Sequence, residues 1–337
     1  MLQIADHLVA TCHAISVGNF FVITYTSVMP NPTRIMPPAV LFIAGAMRSG
    51  TTLLAQMLGQ YPNIFAAGEL SNLWSGFETN MHCQCTRVIE KCPFWGPVTH
   101  AVLRAAGLRS HREAERLRLA SARTRYMPRV IHGSLSSDQR QYELILNILH
   151  RTILEQAGAT TLVDTSKKAV DLVIAARASS TAAVHLIRSP YGVAASEADT
   201  TKHSEVRLAE RPPNKKPARS AFGWVAANYL TTFAGRRIDG PVLRMQYETL
   251  VHHPARELNR ILDLLHSEVF PWQIDGCRFN MPSGHLVNGN PSRYRSGWQR
   301  LRRPDLGDSL APRDIWAIRS VVSFGNYGGY ERPRGSR

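Results

Sequence analysis

Eight residues near the start of the chain have the composition of a phosphate-binding turn. Residues 45–52, GAMRSGTT, combine two glycines with three hydroxyl side chains and one arginine, Arg48. The apolar run Val40–Ala44 precedes the turn and is typical of a buried parallel strand, because it is continuous rather than alternating. Apolar residues recur at helical spacing after the turn, at positions 53, 54, 57 and 58. A strand, a glycine turn and a helix direct free backbone N–H groups and the positive helix end at a phosphate.

The turn lacks the lysine that ATP- and GTP-dependent enzymes use. Thr51 stands where the Walker pattern G-x-x-x-x-G-K-[ST] has lysine, and Arg48 is the only cation within the turn. Those enzymes place the lysine on the β- and γ-phosphates and Mg²⁺ on the next hydroxyl. The turn therefore favours a donor that carries one transferable group beyond its 5′-phosphate and needs no metal. A phosphate loop of a kinase-like enzyme stays open as an alternative.

Charged side chains follow the next two apolar runs. Glu69 comes after a short strand predicted over residues 63–67, and Asp164, Lys167 and Lys168 come after a strand that begins at residue 160. Because the carboxyl ends of parallel strands share one edge of a sheet, these side chains are expected near the phosphate turn. Glu69 can there accept a proton from a hydroxyl, whereas a solvated or salt-bridged glutamate is the alternative. Asp164 also permits a Walker-B interpretation, and the spacing does not decide between the two lysines.

A second phosphate site is predicted after the strand at residues 184–187. Arg188 follows this strand directly, and Pro190 leads into a helix whose first turn is predicted to carry Ser196. An arginine and a serine can converge on one phosphate, by charge and by hydrogen bond. A structural salt bridge is the alternative for Arg188. Two phosphate motifs far apart in the chain indicate a ligand with two phosphates.

The elements that must position these residues follow an α/β order. Strands are predicted over residues 40–44, 63–67, 160–163, 184–187 and 242–245, and helices over residues 98–106, 114–127, 142–156, 224–233 and 255–265.

These motifs resemble those of sulfotransferases that use 3′-phosphoadenosine-5′-phosphosulfate (PAPS). The string RSGTTLL resembles their 5′-phosphosulfate loop, and Tyr61-Pro62 with Gly68-Glu69 complete the pattern RSGTTL…hP…GE of tyrosylprotein sulfotransferases and related bacterial enzymes. Residues 164–167 resemble the family's D-x-S-K turn, and HLVNGNPSRYRSG over residues 285–297 resembles a late family segment.

The 3′-phosphate motif of that family, R-D-P-R-x-x-x-x-S, is matched in part. Arg188, Pro190 and Ser196 agree with it, whereas Ser189 and Tyr191 replace the usual aspartate and arginine.

The resemblance covers about residues 38–330 and implies a bacterial enzyme related to tyrosylprotein and carbohydrate sulfotransferases. The implied fold is an α/β, P-loop-containing nucleotide-hydrolase-like fold, in which helices flank a central parallel sheet and a helical insertion occupies about residues 94–157. PAPS would be the co-substrate, no metal would be required, and the sulfonyl group would pass in line to a hydroxyl of a small molecule, carbohydrate or lipid. A P-loop small-molecule kinase that uses Mg-ATP and a nucleotide-binding scaffold without catalysis are the alternatives.

The resemblance also implies roles for individual residues. These are the 5′-phosphate site (Arg48, Ser49, Gly50, Thr51 and Thr52), the general base (Glu69), the cation at the sulfonate (Lys167), the 3′-phosphate site (Arg188 and Ser196) and a further contact to the donor phosphates (Arg293). Arg48, Glu69 and Lys167 would be the catalytic set.

Composition agrees with an anionic ligand. The chain has 337 residues, a formal net charge of +15 and a sequence pI of about 10.1. Its length suits one substantial α/β domain. Its basic residues are scattered and follow no zinc-finger or RNA-binding pattern, so no nucleic-acid partner is predicted.

The five cysteines are too few for a disulfide scaffold. Cys83, Cys85 and Cys92 lie close together in the sequence, but a zinc site needs a fourth ligand and His82 is adjacent to Cys83 rather than at useful spacing. A structural or redox role is therefore favoured over a metal site, and the resemblance makes the stretch a scaffold feature of the family.

The first 37 residues form an N-terminal extension that is poor in charged residues. No Asp, Glu, Lys or Arg occurs from His7 to Thr33, yet polar residues interrupt the apolar run and no basic segment of a signal peptide precedes it. A membrane anchor over residues 8–29 is thus disfavoured, and a cytoplasmic protein is expected. The extension is predicted to be disordered or dispensable, with Met36 as an alternative start, and residues 331–337 are predicted to be a tail.

Overall fold

The computed structural model describes residues 38–198, 216–301 and 308–325, together with the backbone of residues 10–17 and 20–27. The chain divides into one unit over residues 1–36 and another over residues 37–337. In the first unit, β1 (Ala10–Val17) and β2 (Phe20–Ser27) are paired antiparallel strands. The other residues of the predicted extension, and the predicted tail, lie outside the described part of the chain.

A parallel sheet of five strands forms the centre of the second unit. Its strands are β3 (Val40–Ala44), β4 (Ile64–Gly68), β5 (Thr161–Lys167), β6 (Thr181–Ile187) and β7 (Val242–Gln246). Their spatial order is β4-β5-β3-β6-β7, and every neighbouring pair is parallel. The predicted central parallel sheet is thus confirmed, and the strand before the phosphate turn is its middle strand.

Helices surround this sheet. Within the described residues they are α1 (Thr51–Leu58), α2 (Leu73–Glu78), α3 (Trp95–Ala105), α4 (His111–Ser121), α5 (Met127–Ile131), α6 (Ser137–Ala157), α7 (Ala169–Ala178), α8 (Pro190–Ala198), α9 (Pro217–Gly235), α10 (Tyr247–His252), α11 (Pro254–Leu264) and α12 (Pro312–Phe324). A small antiparallel sheet contains β8 (Ile274–Asp275), β9 (Arg278–Met281) and β10 (Gly297–Arg300).

Both faces of the parallel sheet are covered, which explains why β3 is a continuous apolar run. Val40, Phe42 and Ala44 enter a core that they share with α2, α3, α4, α6 and α7. The alternate residues Leu41 and Ile43 enter a second core with α1, α10 and α11. All five side chains are fully buried, as the two-residue period of a strand between two helical layers requires.

The segment over residues 94–157 is helical, as predicted, but one predicted helix is wrong. The apolar spacing predicts one helix over residues 114–127, whereas α4 ends at Ser121 and α5 starts at Met127 with Pro128 in its first turn. Proline lacks the N–H that a continuing helix needs but is accepted at a helix start, so it separates the two helices. The next helix, α6, begins at a capping box in which Ser136 and Gln139 bond reciprocally.

The described helices include none with the length and apolar character that crossing a membrane requires.

Candidate functional site

The turn between β3 and α1 needs both of its glycines. Gly45 has φ +156°, and a Cβ atom there would lie 2.3 Å from the carbonyl oxygen of Leu186 on the neighbouring strand β6. Gly50 has φ +93°, and a Cβ atom there would lie 2.3 Å from the ring of Tyr247. Close backbone approach and the left-handed conformation at Gly50 therefore exclude any larger residue.

The start of α1 offers groups that suit an anion. Gly50 is the residue before the helix, no side chain among the described residues caps it, and the first turn contains no acidic residue. The uncapped N–H groups and the helix dipole favour negative charge at this end. Ser49 is fully buried, and its hydroxyl has no hydrogen-bond partner within the described part of the chain. The half-buried Arg48 precedes it in a left-handed conformation, with φ 64°.

The two threonines that follow are buried at the same helix start. Thr52 Oγ1 accepts a hydrogen bond of 3.1 Å from the backbone N–H of Asn290. The hydroxyl of Thr52 thus fastens a late segment of the chain to the phosphate turn, whereas Thr51 opens the helix itself.

Glu69 and Lys167 form an ion pair at the carboxyl edge of the sheet. Lys167 Nζ contacts Glu69 Oε1, and the two side chains are 17% and 13% exposed. Glu69 Oε2 accepts hydrogen bonds from Asn72 at 2.8 Å and from Asn288 at 3.3 Å. The carboxylate is therefore fixed by three donors, and its partner is the lysine that the D-x-S-K pattern singles out.

The strand register places this ion pair beside the phosphate turn. Lys167 is opposite Ala44, the last residue of β3, and its carbonyl oxygen accepts a 3.3 Å bond from Gly45 N–H. Its backbone adopts a left-handed conformation with φ 69°. Lys168, which the sequence analysis treated as an equal candidate, is exposed and precedes α7 instead.

Asp164 occupies a different environment from the one that a Walker-B aspartate needs. It is 3% exposed and stands opposite Phe42, two residues before β3 ends. Its Oδ1 accepts hydrogen bonds from the backbone and the hydroxyl of Ser166, at 2.8 and 2.6 Å. Burial raises the pKa of this carboxyl to about 6. It lines a small pocket with Tyr142 and Asp171.

Arg188 contacts the phosphate turn from the side opposite to Lys167. Its Nη1 donates a 3.0 Å hydrogen bond to the carbonyl oxygen of Arg48, and its guanidinium carbon is 4.8 Å from the centre of the Tyr247 ring. Its Nε is buried without a partner among the described residues. The same tyrosine ring packs against Gly50, so one side chain supports both the arginine and the turn.

Glu248 supplies a carboxylate where the family motif has an aspartate. Ser189, which replaces that aspartate, donates its backbone N–H to Glu248 Oε1 at 2.9 Å. The carbonyl oxygen of Arg188 accepts a 2.8 Å bond from the Trp224 indole. The contacts Arg188–Tyr247 and Ser189–Glu248 each join residues 59 positions apart, so the local pattern, which predicts only a strand over residues 242–245, does not reveal them.

Ser196 is not in the first turn of its helix, so the prediction that placed it there is wrong. The helix α8 already begins at Pro190, so Ser196 lies in its second turn, where it is half-buried. Within the described residues no hydrogen bond joins it to Arg188. Its role at a 3′-phosphate stays a prediction.

The guanidinium of Arg293 is buried and hydrogen-bonded to other protein groups, so it is not exposed at the phosphate turn. It is 5% exposed, and it donates hydrogen bonds of 2.7 Å to the Gly289 carbonyl and to the Tyr294 hydroxyl. Burial lowers the pKa of its guanidinium. Gly289 packs against Thr52, so Arg293 supports a loop that borders the phosphate turn. Its predicted contact to donor phosphates stays a prediction.

The three clustered cysteines lie beside a histidine that is distant in the sequence and that their spacing does not predict. Cys83, Cys85 and Cys92 lie together with His285, and the four potential ligand atoms are all within 4.8 Å of one another. His82, the residue weighed as a fourth ligand, is instead in a backbone bridge with Val88.

Comparison with known proteins identifies the family. A sequence profile of the sulfotransferase family matches residues 38–271. Three solved structures are similar: the sulfotransferase domain of the Synechococcus PCC 7002 olefin synthase (19% identity, 90% of this chain and 98% of that chain covered, TM-score 0.49), the sulfotransferase domain from the curacin biosynthetic pathway (18%, 89% and 100%, 0.47) and sulfotransferase STF9 from Mycobacterium avium (12%, 86% and 76%, 0.43). No curated protein sequence matches the chain. Since the profile spans most of its length, the chain belongs to the sulfotransferase family.

Proposed function

We propose that this sulfotransferase moves the sulfonyl group of PAPS to the hydroxyl of a small molecule, carbohydrate or lipid. The observation that carries the proposal is the Glu69–Lys167 ion pair beside a phosphate turn that has no Walker lysine. A carboxylate and an ammonium are the two groups that transfer to a hydroxyl needs, one for the proton and one for the developing charge.

The donor would be held at two phosphates. The backbone N–H groups of residues 49–52 and the Arg48 side chain would bind the 5′-phosphate, with the unpartnered hydroxyl of Ser49 as a further donor. Arg188, which is anchored on the Arg48 carbonyl and on Tyr247, would bind the 3′-phosphate. Ser196 would add a hydrogen bond there.

The transfer would be an in-line displacement. The acceptor oxygen forms a bond to sulfur while the bond from sulfur to the 5′-phosphate oxygen breaks, and the electron pair of that bond stays on 3′-phosphoadenosine-5′-phosphate (PAP). Glu69 takes the proton of the acceptor hydroxyl, which contributes about 10²- to 10⁴-fold to the rate. Arg48 and the turn N–H groups stabilise the charge that grows on the leaving oxygen.

Lys167 would have to change partner during this cycle. In the structure it occupies Glu69 Oε1, the oxygen that must receive the proton, whereas Asn72 and Asn288 hold Oε2. The anionic sulfonate of the donor competes for the ammonium. We expect Lys167 to move from the carboxylate to the sulfonate when PAPS binds, so that Oε1 becomes accessible only in the presence of the donor.

The kinase alternative has weaker support. Its metal ligand would have to be Asp164, which is buried, hydrogen-bonded to Ser166 and set back from the end of the strand. Thr51 occupies the place of the lysine that would bind the β- and γ-phosphates. These two positions therefore supply neither an accessible metal ligand nor the lysine that an Mg-ATP enzyme needs.

Ligand-dependent thermal stability separates the alternatives. A ligand at 100 times its dissociation constant stabilises a protein by about 2.7 kcal/mol, which raises Tm by several degrees. We expect PAP to produce this shift without added Mg²⁺ and Mg-ATP to produce none. A shift with Mg-ATP alone would establish the kinase instead.

A transfer assay with radiolabelled PAPS and a panel of hydroxyl acceptors then separates the enzyme from the scaffold. Binding of PAP without transfer to any acceptor class, and without hydrolysis of PAPS, would support a scaffold.

A further inference from the structure

The cysteine–histidine cluster joins two segments that are 193 to 202 residues apart in the chain. Cys83 and Cys85 belong to the loop after α2, and Cys92 follows the short 3₁₀ turn Ile89–Lys91. His285 lies in the segment between β9 and β10. Cys83 and Cys92 are buried, whereas Cys85 and His285 are partly exposed.

Three of the six distances between the four potential ligand atoms are close to those of a tetrahedral metal site, and all six are within 4.8 Å. Zinc–sulfur bonds of about 2.3 Å and zinc–nitrogen bonds of about 2.0–2.1 Å imply S···S separations of about 3.8 Å and S···N separations of about 3.6 Å around a tetrahedron. His285 Nδ1 is 3.6 Å from Cys83 Sγ and 3.3 Å from Cys92 Sγ. Cys85 Sγ is 3.7 Å from Cys92 Sγ.

We propose that Cys83, Cys85, Cys92 and His285 bind one Zn²⁺ ion. Three thiolates and one imidazole are a donor set of closed structural zinc sites, and sulfur ligands select zinc over the hard cations Mg²⁺ and Ca²⁺. The four protein ligands leave no position for a substrate, so the ion is structural. Binding releases the thiol protons to solvent and changes no oxidation state.

A disulfide explains fewer of these contacts. The four cysteines that the structure describes are all free thiols. A disulfide between any two of the three cysteines would not explain why the third sulfur and the histidine ring lie at the same point. A single cation accounts for all four side chains at once.

Surrounding contacts orient the histidine. Its ring stacks on Phe94 with centroids 5.4 Å apart, and its carbonyl oxygen accepts a 2.5 Å hydrogen bond from the Trp95 indole. Gln84, between the first two cysteines, exchanges hydrogen bonds with Leu286, the neighbour of the histidine. Such outer contacts fix ligand orientation in metal sites.

The ion would fasten the backbone that lies against the candidate base. Two residues after His285, Val287 donates to the Ala67 carbonyl at 2.7 Å and accepts from Glu69 N–H at 2.8 Å. The next residue, Asn288, donates to the Glu69 carboxylate. The zinc site thus holds in place the segment that flanks Glu69 without touching the reacting groups.

Metal analysis of the full-length protein tests the proposal. Protein purified under reducing conditions and supplied with Zn²⁺ should contain about one zinc per chain by mass spectrometry, as a closed site requires. Cys85→Ser and His285→Asn should lose most of this zinc. The matched controls Cys277→Ser and His82→Asn, an exposed cysteine and the histidine outside the cluster, should retain it.

A second variant distinguishes the loss of a zinc ligand from misfolding of the protein. His285→Cys keeps four ligands, so it should retain zinc, and its Co²⁺ form should gain sulfur-to-cobalt charge-transfer intensity over that of the wild-type protein. Failure of the wild-type protein to retain zinc, iron in its place, a disulfide within the cluster that persists in reducing buffer, or full zinc in His285→Asn would each overturn the proposal. The metal content does not depend on the acceptor or on sulfonyl transfer, so this result and the proposed activity can fail separately.

Discussion

Replacement of Arg188 by alanine should remove the preference of this protein for a 3′-phosphorylated nucleotide. The guanidinium donates one N–H to the Arg48 carbonyl and makes a cation–π contact with the Tyr247 ring. Its buried Nε has no partner among the described residues. This arrangement holds the arginine in one orientation while leaving N–H groups available for a phosphate.

The size of the effect follows from these contacts. A hydrogen bond to a charged group contributes about 1.5–3 kcal/mol, and about 1.4 kcal/mol corresponds to a factor of ten in affinity. Arg188→Ala should therefore weaken PAP binding by about 10- to 150-fold. Adenosine 5′-phosphosulfate lacks the 3′-phosphate, so its affinity should change only through the lost support of the phosphate turn.

Isothermal titration of both nucleotides measures the ratio of the two losses. Arg188→Lys keeps the charge but not the fork, so we expect an intermediate loss for PAP. Arg177→Ala removes a surface arginine that pairs with Glu143 and serves as the matched control. Equal losses for both nucleotides in Arg188→Ala would refute the assignment of this residue to the 3′-phosphate.

Three further changes test other parts of the site. Glu69→Gln should lower kcat by about 10²- to 10⁴-fold while PAP affinity stays nearly unchanged. The surface variant Glu78→Gln should alter neither kcat nor PAP affinity. An unaltered kcat in Glu69→Gln would show that Glu69 is not the base. Tyr247→Leu should weaken PAP binding by about 2- to 30-fold through loss of the 0.5–2 kcal/mol cation–π contact, whereas Leu at the exposed Tyr229 should have no effect. Burial raises the pKa of Asp171 from 3.8 to about 7, so its contribution to stability is present below pH 4 and is lost as the pH rises to 7. Asp171→Asn should accordingly reduce the fall in unfolding free energy between pH 4 and 8 by an amount on the order of 4 kcal/mol in urea titrations, and an identical pH profile would contradict the buried, neutral carboxyl.

Local patterns were sufficient to predict the framework of the fold. The run from Val40 to Ala44 is apolar on both of its faces because two cores cover it, and this reason for a continuous run can be read directly from the sequence. The turn after it can be recognised in the sequence by Gly45 and Gly50, and the structure leaves no room for a Cβ atom at either position. Helix ends were harder, because the interruption before Pro128 lies within an otherwise helical pattern.

The parts that could not be predicted are contacts between distant residues. Tyr247 supports Arg188 from about 60 positions away, and the sequence around it, at the end of the edge strand β7, contains no phosphate-binding pattern. Arg293 resembles a phosphate ligand by motif, yet its guanidinium is bound to the Gly289 carbonyl and the Tyr294 hydroxyl. The fourth member of the cysteine cluster comes from position 285, and no spacing rule connects it to a loop at positions 83–92.

The segment from His285 to Asn290 connects these separate features. Its first residue joins the cysteines, its fourth donates to the carboxylate of Glu69, and its last donates to Thr52 at the phosphate turn. The candidate base and the donor site therefore share one structural support, which enters the sheet edge through a parallel bridge between Gly68 and Val287. A Cβ atom at Gly68 would lie 2.4 Å from the Val287 carbonyl oxygen, so the approach is as close as two backbones allow. Because a displacement of about 1 Å at a reacting group can cost about 100-fold in rate, a catalytic strand end benefits from such an anchor. The glycine before the glutamate in the G-E pair is then required by the segment that passes beside it, rather than by the reaction itself.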